Sequence, residues 1–190
     1  MPFIRESVVT TLNADGSAHI APLGVIERPP FLVLAPFAPS TTLDNLRRHP
    51  CACIAYTTEV RVIAGCVTGR RRDWPLLPAQ RISGFRLRDS LAHAEVEVPP
   101  VEEDAQLPRF LCRELHEAMH APFRGLNRAQ AAVLEGAILV SRRHLLPREK
   151  IEREMAYLQI AIDKTAGPAE REAWGWLVEA IGFAADPPGR

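Results

Sequence analysis

Apolar and polar positions change their rhythm twice along this chain. Residues Ser7 to Leu12 are rich in Val and Thr, Asn13-Ala14-Asp15-Gly16 supplies turn chemistry, and a second extended run follows from Ser17 to Ile26; this predicts a β-hairpin. Pro29-Pro30 interrupts the exit, and Phe31 to Ala35 is a short continuous apolar run of the kind a strand shows when both faces are buried. Between Pro39 and Pro50, Thr41 and Asp44 have capping-box spacing and Arg47 and Arg48 suit a helix C-terminus, which predicts a helix of about two turns. Strand-like runs follow at Cys51 to Tyr56, Val60 to Val67, Ile82 to Leu87, Ala92 to Val98 and Phe110 to Leu115.

From Asn127 the period lengthens. Asn127 and Gln130 have capping-type spacing, and Ala131, Leu134 and Ile138 fall along one side. Pro147 suits a helix first turn; Ile151, Met155, Leu158 and Ile162 recur at helical spacing until Gly167-Pro168, and Trp174, Leu177, Val178 and Ile181 repeat the pattern before Gly182. Short strands followed by amphipathic helices predict an α+β chain, with a closed or half-closed antiparallel barrel over residues 1–125 and a helical subdomain over 126–190 packed on it.

Composition narrows the function classes. The 190 residues suggest one large domain or a domain with an appendage, and 47% apolar with 24% charged residues is a globular balance. Lys plus Arg and Asp plus Glu are 23 each, so no excess field draws the molecule to nucleic acid. Only Lys150 and Lys164 are lysines, both in the C-terminal helical segment, which excludes a Walker A lysine or an N-terminal Schiff-base lysine. No run approaches the roughly 20 apolar residues of a membrane span. The opening Met-Pro-Phe-Ile-Arg-Glu-Ser lacks an apolar signal core, and the four cysteines form no Cys-x-x-Cys pair, so a cytoplasmic protein with reduced thiols is expected.

Four groups of residues carry candidate chemistry. His116-Glu117-Ala118-Met119-His120 matches H-E-x-x-H, which on a helix would bind zinc and make a metallopeptidase with Glu117 as base. Pro122 follows closely and the preceding residues alternate like a strand, so exposed histidines at a strand end are expected, and no metal. Cys51 and Cys53 face one side of a strand, as buried core residues or as thiols available to a metal or redox partner. Arg70-Arg71-Arg72-Asp73-Trp74 could grip a phosphate or form a solvated loop. Ser40-Thr41-Thr42 sets three hydroxyls at a helix N-terminus, where free amides and the positive dipole end favour an anion.

The order of landmarks is informative: Val9-Thr10-Thr11, the Asp15-Gly16 turn, Ala21-Pro22-Leu23-Gly24-Val25, Pro36-Phe37, then Ser40-Thr41-Thr42-Leu43-Asp44-Asn45-Leu46, and later Gly125-Leu126-Asn127-Arg128-Ala129. This succession resembles the FMN-binding split-barrel superfamily, and within it a branch of uncharacterised proteins, a domain of unknown function found in archaea and methylotrophic bacteria. The resemblance covers residues 3 to about 140 and implies a six- to seven-stranded split barrel like that of flavin reductases and pyridoxamine-phosphate oxidases.

The resemblance further implies FMN held noncovalently in a homodimer, with Ser40, Thr41 and Thr42 on its phosphate and Asn45 nearby. Ala21, Pro22, Leu23, Gly24 and Val25 would lie beside the isoalloxazine ring, and Arg47, Arg61 or an Arg of the 70–72 loop would add positive charge. The implied role is an oxidoreductase acting on a small molecule, with a link to tetrahydromethanopterin-dependent one-carbon metabolism. A noncatalytic flavin-binding module is the alternative. No catalytic side chain is assigned, since a flavin carries the electrons itself.

Overall fold

The structure is a computed structural model that describes residues 2–99 and 108–182. The chain divides into two compact units, Met1–Thr57 with Trp74–Phe123, and Thr58–Asp73 with Arg124–Arg190.

The first unit is a barrel. Strands β1 (Phe3–Leu12) and β2 (Ala18–Arg28) pair antiparallel, with Val9 opposite Ala21 and Arg5 opposite Val25. Their turn forms because Gly16 adopts φ 81° and the Asp15 carboxylate accepts from the amide and hydroxyl of Ser17. Strand β3 (Phe31–Leu34), helix α1 (Thr41–Arg48), β4 (Cys51–Tyr56), β7 (Ala92–Glu97) and β8 (Phe110–Met119) complete it. Six strands close in the order β1-β2-β3-β8-β7-β4, all antiparallel. Alternate residues point inward, so Val9, Val25, Leu34, Ile54, Val96 and Phe110 form one core. Leu43 and Leu46 of α1 insert into that same core.

Two expected strands are corrected. Val60 to Val67 is helix α2 (Val60–Thr68), because Glu59 caps its start and Gly69, at φ 72°, ends it in the left-handed region. A continuous apolar run does not distinguish a buried strand from a buried helix, and here six residues of the run are buried. This helix contacts α3 and α5, so residues 58–73 group with the C-terminal helices rather than with the barrel's sequence neighbours. Of Ile82 to Leu87 only Phe85–Leu87 is strand β6; it pairs with β5 (Leu76–Pro78) in a two-stranded ribbon outside the barrel sheet. That ribbon contacts β4 and β1 through β6 and buries Leu87 completely.

The second unit contains α2, α3 (Arg128–Ser141), α4 (Arg148–Thr165) and α5 (Pro168–Gly182). Asn127 caps α3 by accepting from the amides of Ala129 and Gln130, and its Nδ2 donates to the Thr165 carbonyl, which ties the start of α3 to the end of α4. Gly136 admits a close crossing: a Cβ there would stand 2.8 Å from the Trp174 ring and 3.2 Å from Leu177. Gly136→Ala is therefore expected to destabilise by about 1–3 kcal/mol through overpacking, despite a helix-propensity gain of up to about 1 kcal/mol. At Gly175 an added Cβ meets nothing within 4 Å, so Gly175→Ala is expected to stabilise by about 0.5–1 kcal/mol. Denaturant unfolding of the two variants separates these effects; equal shifts of the same sign would contradict the packing argument.

Candidate functional site

The first candidate site lies at the start of α1. Ser40, not Thr41, is the N-cap: its backbone is extended and its Oγ accepts from the Leu43 amide at 3.2 Å. Thr41 then becomes the first helical residue and is exposed, whereas Thr42 is buried. The amides of Thr41 and Thr42 precede the first intrahelical donor, the Asp44 amide on the Ser40 carbonyl. Two first-turn amides, belonging to two threonines, thus stand free at one helix end, a set of residues suited to a phosphate.

Asn45 has a different duty. Its Nδ2 donates to Thr11 Oγ1 at 3.0 Å and Asn13 Oδ1 at 3.1 Å, while its Oδ1 accepts from Arg48. Arg48 also donates to the Leu12 carbonyl. Asn45 is buried, and this network clamps α1 to the end of β1. The other arginines named for the phosphate are placed as follows. Arg47 lies in the last turn of α1, Arg61 is paired with Glu59 and Glu172, Arg70 lies 3.8 Å from Glu179, and Arg71 3.5 Å from Asp73.

Ala21 to Val25 form a half-exposed segment of β2, with only Val25 fully buried. All five residues pair with β1, yet pairing with β3 begins only at Val25. Over Ala21–Gly24, the backbone groups directed away from β1 therefore have no strand partner among the described residues, while the Leu23 carbonyl accepts from Ser7 Oγ at 2.7 Å. Gly24 is required by a neighbour as well, since a Cβ there would meet Ile4 Cγ2 at 2.9 Å.

The second candidate lies on the barrel's outer face. His93 and Glu95 of β7 are both 0% exposed. Glu95 accepts from the amides of Gln80 (2.7 Å), Arg81 (2.6 Å) and Ile82 (3.2 Å), all in the loop between β5 and β6. Burial pushes this carboxyl up, but those amides and the His93 ring outweigh it and hold it below the ordinary glutamate value. His93 Nε2 lies 3.1 Å from Glu95 Oε1, and His93 Nδ1 lies 2.8 Å from His120 Nε2. Burial, with Arg86 and the two other imidazoles, lowers His120. Across β7 and β8 Glu95 stands opposite His116, whose Nε2 is buried without a hydrogen-bond partner.

The H-E-x-x-H stretch is therefore strand, not helix: His116 to Met119 end β8 and His120 follows it. Strand alternation turns Glu117 away from both histidines, so the arrangement a zinc peptidase needs is not formed. The residue between His116 and His120 is His93, with ring centroids 5.7 Å and 4.9 Å away. Sequence reasoning missed His93 and Glu95 because Ala92-His93-Ala94-Glu95-Val96 alternates like a strand with one wet face. The available signal was two titratable groups on the same face as the following strand's histidines.

The sequence profiles for the N-terminal and C-terminal domains of the protein family of unknown function DUF447 match residues 5–121 and 127–179. The chain belongs to that family. In fold it is similar to the FMN-bound DUF447 protein MM1853 from Methanosarcina mazei, at 18% identity and a TM-score of 0.81, covering 95% of this chain and 96% of that one. The flavoredoxin of Methanosarcina acetivorans is similar at 16% identity and a TM-score of 0.53, covering 63% of this chain and 69% of that one. BorF, the flavin reductase component of a bacterial two-component tryptophan halogenase, is similar at 16% identity and 0.53, covering 64% and 83%. No curated protein matches the chain. No helix among the described residues is long and apolar enough to cross a membrane.

The cysteines divide by burial. Burial, with Glu95 nearby, pushes the Cys53 thiol up to about 12, and burial alone does the same for Cys112. Cys51 is half-buried and raised less, again by burial first and then Glu97, and Cys66 is buried. At about pH 8, a chromogenic disulfide reagent is expected to label Cys51 alone of the four in the native protein, and Cys51→Ser to remove that reaction. Fast labelling that survives the substitution would show that at least one of the buried thiols of Cys53, Cys66 and Cys112 is accessible.

Proposed function

We propose that this chain is an FMN-binding flavoprotein that works as a homodimeric oxidoreductase on a small molecule. The observation that carries the reading is the donor set of Thr41 and Thr42 at the start of α1, in a barrel whose fold is shared with an FMN-bound member of the family. Thr41 and Thr42 would hold the phosphate through hydroxyls and amides, and Ser40 would keep the helix end open by capping it. Asn45 would act as the strut that fixes that end against Thr11 and Asn13. The unpaired edge of Ala21–Gly24, continuing into Val25, would offer backbone donors and acceptors to the polar rim of the ring. When bound, the flavin would supply hydride or electron transfer between a reduced donor and the substrate, with the pterin class implied by the resemblance the first to try. Exposed apolar side chains on β1, Phe3 and Ile4, support a second copy as the barrel's partner.

The test replaces both hydroxyls and keeps the cap. Thr41→Val with Thr42→Val is expected to weaken FMN by about 100-fold or more, because hydrogen bonds to charged groups contribute about 1.5–3 kcal/mol each. Fluorescence titration of flavin-free protein with FMN measures this, and circular dichroism checks that the fold persists. Unchanged affinity would remove the phosphate assignment. A wild-type protein that takes up no FMN would remove the flavoprotein reading itself. Bleaching of the bound flavin's visible band by a nicotinamide donor is expected of the oxidoreductase; a band that no donor bleaches would leave a noncatalytic flavin-binding module.

A further inference from the structure

We infer that His93, Glu95 and His116 form a zinc-class metal site on the outer face of β7 and β8, with His120 as the group that orients His93. One ligand-capable atom from each of the three residues lies within 4.8 Å of those of the other two, and two of the three residues are buried.

The argument starts from unspent capacity. Glu95 has about four lone-pair positions, and the amides of Gln80, Arg81 and Ile82 occupy three. The remaining position, on Oε1, is directed at His93 Nε2 3.1 Å away. A cation bound at about 2.0–2.2 Å to a nitrogen and an oxygen spaces them by roughly 3–3.5 Å, so this pair already has the separation a shared metal imposes. His116 adds the third group. Its Nε2 is buried and bonds to nothing, which is costly for a polar atom unless something it can bind arrives. Closing the remaining distance needs only a side-chain rotation of a residue that has no ring hydrogen bond to break.

The other side of His93 suits the same role. A ligating imidazole donates its second N–H to a fixed acceptor, which sets the tautomer and ring orientation. His93 Nδ1 stands 2.8 Å from His120 Nε2, and the ring planes lie 16° apart. Without metal, His93 Nε2–H donates to Glu95 and His120 donates to His93 Nδ1. With metal on Nε2, the proton sits on Nδ1 and is donated to His120 over the same short contact. Two imidazoles and one carboxylate select a first-row divalent ion over magnesium or calcium. Three protein ligands leave a fourth position for water.

The sequence motif therefore named His116 for a physical reason other than its own. The partner that completes the set is not His120, four residues along the strand, but the buried pair two residues apart on the neighbouring strand. The site stands apart from the flavin reading and needs no FMN.

Zinc titration of chelator-treated protein, followed by calorimetry and by elemental analysis after desalting, tests it. Wild type is expected to retain about one equivalent. His116→Ala should weaken zinc by about 100-fold or more and leave the circular dichroism of the metal-free protein unchanged, since that ring makes no hydrogen bond and only an edge contact with His93. His120→Ala should keep the stoichiometry and weaken zinc by roughly 10- to 100-fold, the usual effect of losing an orienting partner. His49→Ala serves as the control, because His49 lies 3.5 Å from Cys51 Sγ and is the competing surface site; it should change nothing. The inference is overturned if wild type and His116→Ala bind zinc equally, if neither retains it, or if His49→Ala removes it.

Discussion

β2 runs eleven residues while its neighbour β3 runs four, and a closed barrel has to accommodate the difference. Closure removes free strand edges only where neighbours have equal reach. Here β2 outruns β3 from Ala18 to Gly24, so that stretch of backbone keeps hydrogen-bonding capacity on its side away from β1, as β8 does beyond Cys112 where it too outruns β3. The chain returns across the barrel as a short helix whose Leu43 and Leu46 fill the core, and Asn45 and Arg48 fasten that helix to the end of β1. The open edge follows from this mismatch, and the free amides from the helix start itself. A flavin phosphate and ring would use what the barrel leaves unpaired.

On the opposite face the constraint is a buried charge. A carboxylate removed from water costs several kcal/mol unless its lone pairs are filled. Glu95 meets that cost with three consecutive amides of the loop between β5 and β6, and in doing so draws the loop over the sheet. The cover turns an outer face into an interior, where His93 is fully buried and His116 keeps an unsatisfied nitrogen. An ordinary solvent-facing strand would have left these histidines hydrated and without mutual constraint.

The hairpin, the third strand, α1, β4, β7 and the three C-terminal helices were legible because turn, proline or capping residues bound them: Asp15-Gly16, Pro50, Asn127 and Gly167-Pro168. The α1 cap proved to be Ser40 rather than Thr41, and α3 buries Ala129, Ala132, Val133, Gly136 and Val140 rather than the side of Ala131, Leu134 and Ile138, because α3 is apolar nearly all round and its period does not single out one face. Residues Val60 to Val67 misled because an unbroken apolar run carries no period, and the residues that decide it, Glu59 and Gly69, act only at its ends. The β5–β6 ribbon was half missed because strands of three residues carry too little pattern to separate them from a loop.

By itself the sequence determined which segments alternate, which repeat every three to four residues, and that hydroxyl residues cluster where α1 begins; these are local properties of a few consecutive residues. Tertiary structure decided that α2 joins the C-terminal helices, that Asn45 spends its amide on the hairpin, and that His93 comes to stand between His116 and His120. Each of those depends on residues separated by 23 or more positions meeting across strands or helices. Register and loop cover set such meetings, and neither is written in the spacing along one strand.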